Sequence, residues 1–199
     1  MAVEFLTIKK EGKGIYKEKM SKFLSFALPV RDSTAAKEII KRYQNEYHDA
    51  RHVCWAYMLG PDRLEWQAND NGEPSGTAGK PILGQINSLG LTNVIVLVVR
   101  YFGGIKLGTS GLISAYREAA REALEDAEKE LEYVKREAIV RFPYISMNAV
   151  MALFKKFNVE MNGQEFDNTC LIRFSVKEEI AENFLSRLQE IDGAILDNI

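Results

Sequence analysis

A glycine-rich segment at residues 98–112 carries the residue types that hold a phosphate or carboxylate group. It leaves an aliphatic run at 94–99, leads into a helical pattern and contains two cations, Arg100 and Lys106. In a strand–loop–helix arrangement of this kind, backbone amides and the helix dipole converge on an anion. The candidate binding residues here are Arg100, Tyr101, Gly103, Gly104, Lys106, Gly108, Thr109 and Gly111.

A second glycine-rich segment, residues 69–83, offers a comparable site. Its amides near Gly76 and Gly79, with Lys80 at the start of a helix, could hold an anion. It is not a nucleotide P-loop, because Pro74 stands where that motif needs glycine and Pro81 stands where it needs serine or threonine. The candidate binding residues are Asn69, Asp70, Glu73, Ser75, Gly76, Thr77, Gly79 and Lys80.

Turn geometry is the alternative explanation of both segments. Glycine adopts positive backbone φ angles without steric cost, so these glycines fit tight turns as well as they fit an anion cradle. The dinucleotide fingerprint G-x-G-x-x-G is absent from the sequence, so no nicotinamide site is expected. The sequence leaves anion binding and turn formation both open, and it implies no cofactor.

Catalytic and metal-binding constellations are weaker. Asp70 and Glu73 could form an acid/base pair, although loop carboxylates more often cap backbone amides. The hydroxyls considered as nucleophiles, with a loop lysine as base, are Ser75, Thr77 and Ser110, but no third group orients them. His48 and His52 have the spacing of metal ligands on one helical turn, but a helix end is expected between them. No catalytic or metal-ligating residue is therefore predicted.

The composition describes a folded protein without a strong charge bias. Apolar residues make up 46% of the 199 residues, the formal net charge is −2 and the pI is about 5.8. A dedicated nucleic-acid binder usually carries a basic excess, so DNA binding is not expected, although a local basic patch could contact RNA. Cys54 and Cys170 lie in apolar runs and give no disulfide framework. Without a signal peptide or a membrane-length apolar run, a cytoplasmic location without membrane contact is expected.

Hydrophobic periodicity predicts an α+β fold of two domains. Strands are predicted at 22–30, 53–59, 64–67 and 94–99, the last buried on both faces. Helices are predicted after a cap at Asp32 or Ser33, around Pro81, and after a cap at Thr109 or Ser110. The charged stretch 125–132 is taken as the boundary between a domain at 1–130 and a domain at 133–199.

The second domain shows the order strand, helix, strand, strand, helix, strand. Its first strand alternates from Ala138, a helix follows a cap at Ser146, and Asp167-Asn168 turns the chain between the two middle strands. This order is that of the split βαβ, or ferredoxin-like (βαββαβ), plan.

The two glycine-rich segments together resemble the signature of the IMPACT family. The matching blocks are NDNGEPSGTAGKPIL at 69–83 and VVRYFGGIKLGTSGL at 98–112, and HVCWAY at 52–57 also fits. The one departure is Ser110, where the family pattern is expected to have glycine. The resemblance implies that the first domain is similar to domain 2 of ribosomal protein S5 and that the second is ferredoxin-like. That pairing is similar to the last two domains of translation elongation factor G.

The resemblance favours a non-enzymatic regulator associated with translation. RNA, the ribosome or a translation-related protein is the expected partner, contacted through the two glycine-rich segments. In this hypothesis Lys80, Arg100 and Lys106 meet phosphates, and Tyr101 stacks on a base.

Two alternatives remain open at this point. The first is an enzyme acting on a phosphorylated or acidic small molecule at the same segments, with Asp70 or Glu73 as the base. The second is a protein–protein regulatory module. Fold likeness alone does not decide between them.

Overall fold

The computed structural model describes residues 3–167 and 169–198, which form a mixed α/β protein with three sheets and five α-helices. The chain divides into two compact units, residues 1–132 and 133–199. The first unit contains β1 (Glu4–Ile8), β2 (Gly12–Glu18), β3 (Ser21–Pro29), α1 (Ser33–Glu46), β4 (His52–Leu59), β5 (Glu65–Asn69), α2 (Gly79–Ser88), β6 (Val94–Tyr101) and α3 (Gly108–Asp126), and β7 (Lys129–Tyr133) ends it.

A five-stranded antiparallel sheet forms the centre of the first unit, in the order β2-β3-β6-β4-β5. The aliphatic run of β6 is fully buried, as its unbroken hydrophobicity predicts. Val94, Val96 and Val98 pack on one face with α2 and α3, whereas Ile95, Leu97 and Val99 pack on the other with α1. Period-two alternation within one strand thus supplies both cores.

Helix α3 lies unusually close to the edge strand β2. A Cβ atom added at Gly12 would lie 2.1 Å from the carbonyl oxygen of Ala123, so only glycine fits there. The facing side of α3 is lined with small buried side chains, Ala115, Ala119, Ala120 and Ala123. Asp126 and Glu122 accept hydrogen bonds from the edge amides of Lys13 and Ile15, at 2.8 and 3.0 Å.

Two charged segments have regular structure that the sequence pattern did not predict. The lysine-rich N-terminal segment supplies β1 and β2, and β1 pairs with β7 in a two-stranded sheet. The stretch 125–132, taken as the domain boundary, contains the end of α3 and the start of β7, and the first compact unit ends at Glu132. Strand pairing satisfies the backbone of both segments while their charged side chains remain in solvent.

Of the predicted helix caps, the one at α1 is present, whereas those at α3 and α4 are not. Asp32, rather than Ser33, caps α1, accepting a hydrogen bond of 2.8 Å from the amide of Ala35. Helix α3 starts at Gly108, after Leu107, so neither Thr109 nor Ser110 caps it. The hydroxyl of Ser146 donates to the carbonyl of Asp192 at 2.7 Å and makes no cap bond.

The second unit has the predicted order of elements. It contains β8 (Lys135–Phe142), α4 (Met147–Phe157), β9 (Glu160–Phe166), β10 (Cys170–Lys177), α5 (Glu178–Gln189) and β11 (Ile195–Asn198). Its antiparallel sheet has the order β11-β8-β10-β9. Phe154, Phe174 and Phe184 make edge-to-face contacts in a core that joins both helices to one face of the sheet. Of the predicted turn Asp167-Asn168, Asn168 lies outside the described residues.

Within residues 3–167 and 169–198, every helix is too short or too polar to cross a membrane.

The contact between α3 and β2 yields a stability prediction. Replacing Gly12 with alanine forces β2 away from α3 and is expected to lower the free energy of unfolding by roughly 1–3 kcal/mol. Gly84 is the matched control, because it lies on the exposed side of α2 with open space around it. Gly84→Ala is expected to raise the free energy of unfolding by about 0.5–1 kcal/mol, because alanine has the higher helix propensity. Urea denaturation measures both, and equal stabilities of the two variants would contradict the close packing.

Candidate functional site

The first glycine-rich segment binds its own carboxylate. Oδ1 of Asp70 accepts hydrogen bonds from the amides of Ala78 and Gly79, at 3.0 and 2.8 Å, and Oδ2 accepts one of 2.8 Å from Gly76. Burial disfavours the charge, but the three amides and the nearby Lys80 outweigh it and lower the pKa of Asp70. The amides of Gly76 and Gly79, predicted to meet an external anion, are therefore already paired.

Turn geometry explains the glycines of this segment. Gly72 and Gly76 have φ angles of +85° and +78°, and a Cβ at Gly79 would lie 2.7 Å from the backbone nitrogen of Asn69. Asn69 itself ends β5, and Gly79 begins α2, so the irregular part is shorter than predicted. The hydroxyl of buried Thr77 donates to the carbonyl of Pro74 at 2.6 Å. Ser75 and Lys80 are exposed.

A buried charge pair ties this segment to the second one. Oε1 of Glu73 accepts hydrogen bonds from Nη1 of Arg100 at 2.6 Å and from the hydroxyl of Tyr116 at 2.8 Å. Glu73 and Arg100 are only 8% and 6% exposed. One carboxylate oxygen thus connects the first loop, strand β6 and helix α3. Arg100, predicted to meet a phosphate, already has an internal anion as its partner.

Two further buried groups extend this network. The thiol of Cys54 lies 2.9 Å from the carbonyl oxygen of Asp70 and 3.3 Å from the hydroxyl of Tyr116. Burial raises the pKa values of the Cys54 thiol and the Tyr116 phenol, so both remain protonated. A thiol in this state is a structural donor and not a nucleophile.

His52 lies beside the charge pair with one ring nitrogen fixed. Its Nδ1 is 2.8 Å from the carbonyl oxygen of Asn71 and must therefore donate, while its Nε2 lies 4.0 Å from Oε1 of Glu73. His52 opens β4, whereas His48 follows the end of α1, so the spacing considered for a metal site is split between two elements. Among the described residues, no three His, Cys, Asp or Glu side chains gather as metal ligands do.

A cleft of about 480 Å³ opens above this network. Its lining joins β4, the two glycine-rich segments and the start of α3: Arg51, His52, Gly72, Glu73, Pro74, Arg100, Phe102, Lys106, Leu107, Gly108, Thr109 and Leu112. Of the predicted binding residues, the cleft brings together Glu73, Arg100, Lys106, Gly108 and Thr109. It does not include Asn69, Asp70, Ser75, Gly76, Thr77, Gly79, Lys80, Tyr101, Gly103, Gly104 or Gly111. Arg51 and Phe102 were missed; Phe102 lies inside the matched sequence block and could have been found there.

Positive charge in the cleft is not balanced. Over residues 3–167 and 169–198, neither Arg51 nor Lys106 has a carboxylate within salt-bridge distance. No side chain caps α3, and its first turn contains no acidic residue. Nε of Arg100 is buried without a hydrogen-bond partner in the described part of the chain. Uncapped amides, two unpaired cations and an unsatisfied donor make the cleft suited to an anion.

Several residues of the second segment have structural positions. Tyr101 packs with the α1 side of the sheet, and its hydroxyl donates to Asp49 at 3.0 Å, so it faces away from the cleft. A Cβ at Gly103 would lie 2.0 Å from the carbonyl carbon of Met20, so glycine is needed there. Gly104 and Gly108 have φ angles of +88° and +73°. Lys80 lies in a separate groove with Arg117.

The capping role of Asp70 gives a pH-dependent prediction. Because folding lowers the pKa of Asp70, its contribution to stability is full above the unfolded value and is lost as the pH falls through the folded value. Asp70→Asn presents an amide donor to backbone donors, and the expected loss is about 1–2 kcal/mol at pH 7. The difference between variant and wild type should narrow below about pH 4. Urea denaturation over pH 3–7 measures it, and a difference independent of pH would refute the charged cap.

The buried pair predicts a larger effect. Glu73→Gln leaves Arg100 buried without an anion and is expected to cost about 3–5 kcal/mol. The double variant Glu73→Gln/Arg100→Met should recover part of this loss. The matched control is Glu132→Gln, which breaks the exposed pair with Arg31 and should cost less than about 1 kcal/mol. Thermal and urea unfolding measure these variants together with Arg100→Met alone, and a loss in the double variant equal to the sum of the two single losses would argue against coupling.

Comparisons with known proteins identify the family of the chain. Residues 19–124, which hold both glycine-rich segments, match the Impact N-terminal domain. A Haemophilus influenzae protein described as an IMPACT family member is 33% identical over 174 residues, covering 86% of this chain and 84% of the relative. The Escherichia coli (strain K12) IMPACT family member YigZ is 30% identical over 180 residues, covering 89% and 88%.

A solved structure extends the likeness to the whole chain. The crystal structure of a hypothetical protein, 28% identical, matches with a TM-score of 0.76 and covers 100% of this chain and 98% of its own. The Bacillus subtilis IMPACT family member YvyE is 38% identical over 124 residues, covering 62% of this chain and 57% of the relative. On its matched domain and its full-length relatives, this chain belongs to the IMPACT family.

Proposed function

We propose that this chain is a non-enzymatic, translation-associated protein of the cytoplasm that binds RNA through the cleft at the start of α3. The observation that carries the proposal is the unbalanced positive charge of the cleft. Arg51 and Lys106 line the same cleft as an uncapped helix N-terminus, and phosphate oxygens are the acceptors that suit such a set of donors.

The fold supports the same proposal. We infer that the first unit is similar to domain 2 of ribosomal protein S5, since it has an antiparallel sheet with two helices on the face that carries the cleft. We infer that the second unit is ferredoxin-like, since its strand order is β11-β8-β10-β9 and α4 and α5 share one face. This pairing resembles the last two domains of translation elongation factor G.

The position of the free cations changes the expected contacts. Of the three cations in the initial hypothesis, Arg100 is paired with Glu73 and Lys80 lies in another groove, so only Lys106 stays free in the cleft. Arg51 replaces them as the second phosphate-binding group. With two free cations, the binding is local and its salt dependence is moderate.

A second function is favoured by one observation, the hydrogen bond between Nδ1 of His52 and the carbonyl oxygen of Asn71. A neutral imidazole that donates from Nδ1 to a carbonyl presents Nε2 as an acceptor, which is the form of a general base. An enzyme acting on a phosphorylated or acidic small molecule would bind the anion at α3 and use His52. Asp70 does not line the cleft, and Glu73 is held by two donors, so neither carboxylate fits the role as well. Turnover of a phosphorylated metabolite, lost in His52→Gln, would select this function.

The cleft cations can be tested directly. In Arg51→Ala/Lys106→Ala, the dependence of log affinity on log salt for ribosomal RNA should become shallower by about 2, with weaker binding at every salt concentration. The control Lys37→Ala/Lys41→Ala removes equal charge from the exposed side of α1, on the opposite face of the sheet, and should bind as wild type. Co-sedimentation with ribosomes and fluorescence anisotropy with labelled RNA measure both. Equal losses in both variants would indicate only a diffuse charge effect, and unchanged binding in both would contradict the proposal.

A further inference from the structure

Phe102 is an aromatic side chain that the fold leaves in the cleft. It follows β6 directly, is 46% exposed and lines the cleft together with Lys106 and Thr109. The guanidinium carbon of Arg100 lies over its ring, 5.5 Å from the ring centre. The ring is therefore oriented by a buried neighbour and still has surface available to a ligand.

The buried neighbour of this ring is itself incompletely satisfied. Arg100 is 6% exposed and lines the cleft, and its Nε–H finds no acceptor among the residues that the structure describes. A buried donor without a partner costs free energy comparable to a lost hydrogen bond, which a ligand acceptor or a water molecule restores. This donor is independent of the helix N-terminus, and it belongs to a side chain that lines the cleft.

The cleft therefore combines an aromatic surface with anion-binding groups. Phe102 offers a π face, while Arg51, Lys106 and the first amides of α3 offer positive charge. A nucleotide has the complementary pair of features, since every base has a π face and every nucleotide carries a phosphate. The cleft volume of about 480 Å³ is within the range of small-ligand pockets.

The exposed ring also selects between forms of RNA. In a duplex the bases are stacked on one another, and a protein reaches mainly phosphates and 2′-hydroxyls. A base meets an aromatic side chain only when it is unstacked, as in a loop, a bulge or a single strand. Tyr101, considered from the sequence as the stacking residue, faces the other side of the sheet, so the role falls to Phe102.

We propose that the cleft takes one unpaired nucleotide of an RNA strand, with its base on Phe102 and its phosphate at the N-terminus of α3 between Arg51 and Lys106. This inference rests on the proposed function and narrows its ligand to single-stranded RNA. Arg100 supports one face of the ring.

Three substitutions distinguish the contribution of the aromatic ring to binding from that of apolar contact alone. Phe102→Leu keeps an apolar side chain but removes the π face, and its affinity for a labelled uridine 8-mer should fall roughly tenfold. Phe102→Trp retains stacking and should bind within about threefold of wild type. Ile105→Ala is the matched control, because Ile105 is 50% exposed on the same loop and does not line the cleft. It should bind as wild type.

The probes distinguish the forms of RNA. Anisotropy titrations use the uridine 8-mer, a blunt duplex of the same length and an 8-mer of abasic phosphodiesters, all at the same salt. Wild type should prefer the single strand to both others by about tenfold, and Phe102→Leu should lose this preference while its salt dependence is unchanged. Indole fluorescence of Phe102→Trp, measured against wild type with its own Trp55 and Trp66, should be quenched by the uridine strand only.

Each of the other outcomes contradicts one or both proposals. If Phe102→Leu binds the uridine strand as wild type does, or if the duplex binds equally well, the stacking proposal is wrong while the RNA function stands. If Arg51→Ala/Lys106→Ala leaves the salt dependence unchanged, the cleft is not the phosphate site, and both proposals fail. If no RNA form binds, the small-molecule alternative at His52 replaces them.

Discussion

The hydrogen bonds to one oxygen of Glu73 are the constraint on which the site depends. That oxygen accepts hydrogen bonds from Arg100 of β6 and Tyr116 of α3. In the same loop, the carbonyl oxygen of Asp70 accepts a hydrogen bond from the thiol of Cys54 of β4. A buried charge must be paired, so the first loop cannot leave its place without exposing or stranding Arg100. The two glycine-rich segments, whose paired residues Glu73 and Arg100 are 27 positions apart in the sequence, are in this way fixed as two sides of one cleft.

The N-terminal amides of α2 and α3 differ in whether the protein supplies their hydrogen-bond acceptor. At α2 the carboxylate of Asp70 accepts three backbone hydrogen bonds, so the protein supplies its own anion there. At α3 the preceding residue is Leu107, and neither a cap side chain nor a first-turn acid is present among the described residues. The same physical need for an acceptor is met by the protein in one case and left to solvent or a ligand in the other.

How much the sequence predicts depends on how local the cause is. β6, α1 and the helical stripe of α3 follow from apolar spacing alone, and the structure has them. β2 was not predicted, because its charged residues give no apolar alternation. Its packing depends on the close contact of Gly12 with Ala123, which is distant in the sequence. The composition of the cleft was missed for the same reason: the pairing of Glu73 with Arg100 is a tertiary event, and it decides which cations remain free.

The net charge of the chain and the local charge of the cleft act on a ligand at different distances. A net charge of −2 gives no long-range attraction for a polyanion. At physiological salt, charges act over about 8 Å, so Arg51 and Lys106 influence only a ligand that is already in the cleft. Recognition must then rest on short-range contacts, and a phosphate alone supplies too few of them. An exposed aromatic ring beside the phosphate-binding groups adds the contact that charge cannot provide, which makes a nucleotide a better fit than a simple anion.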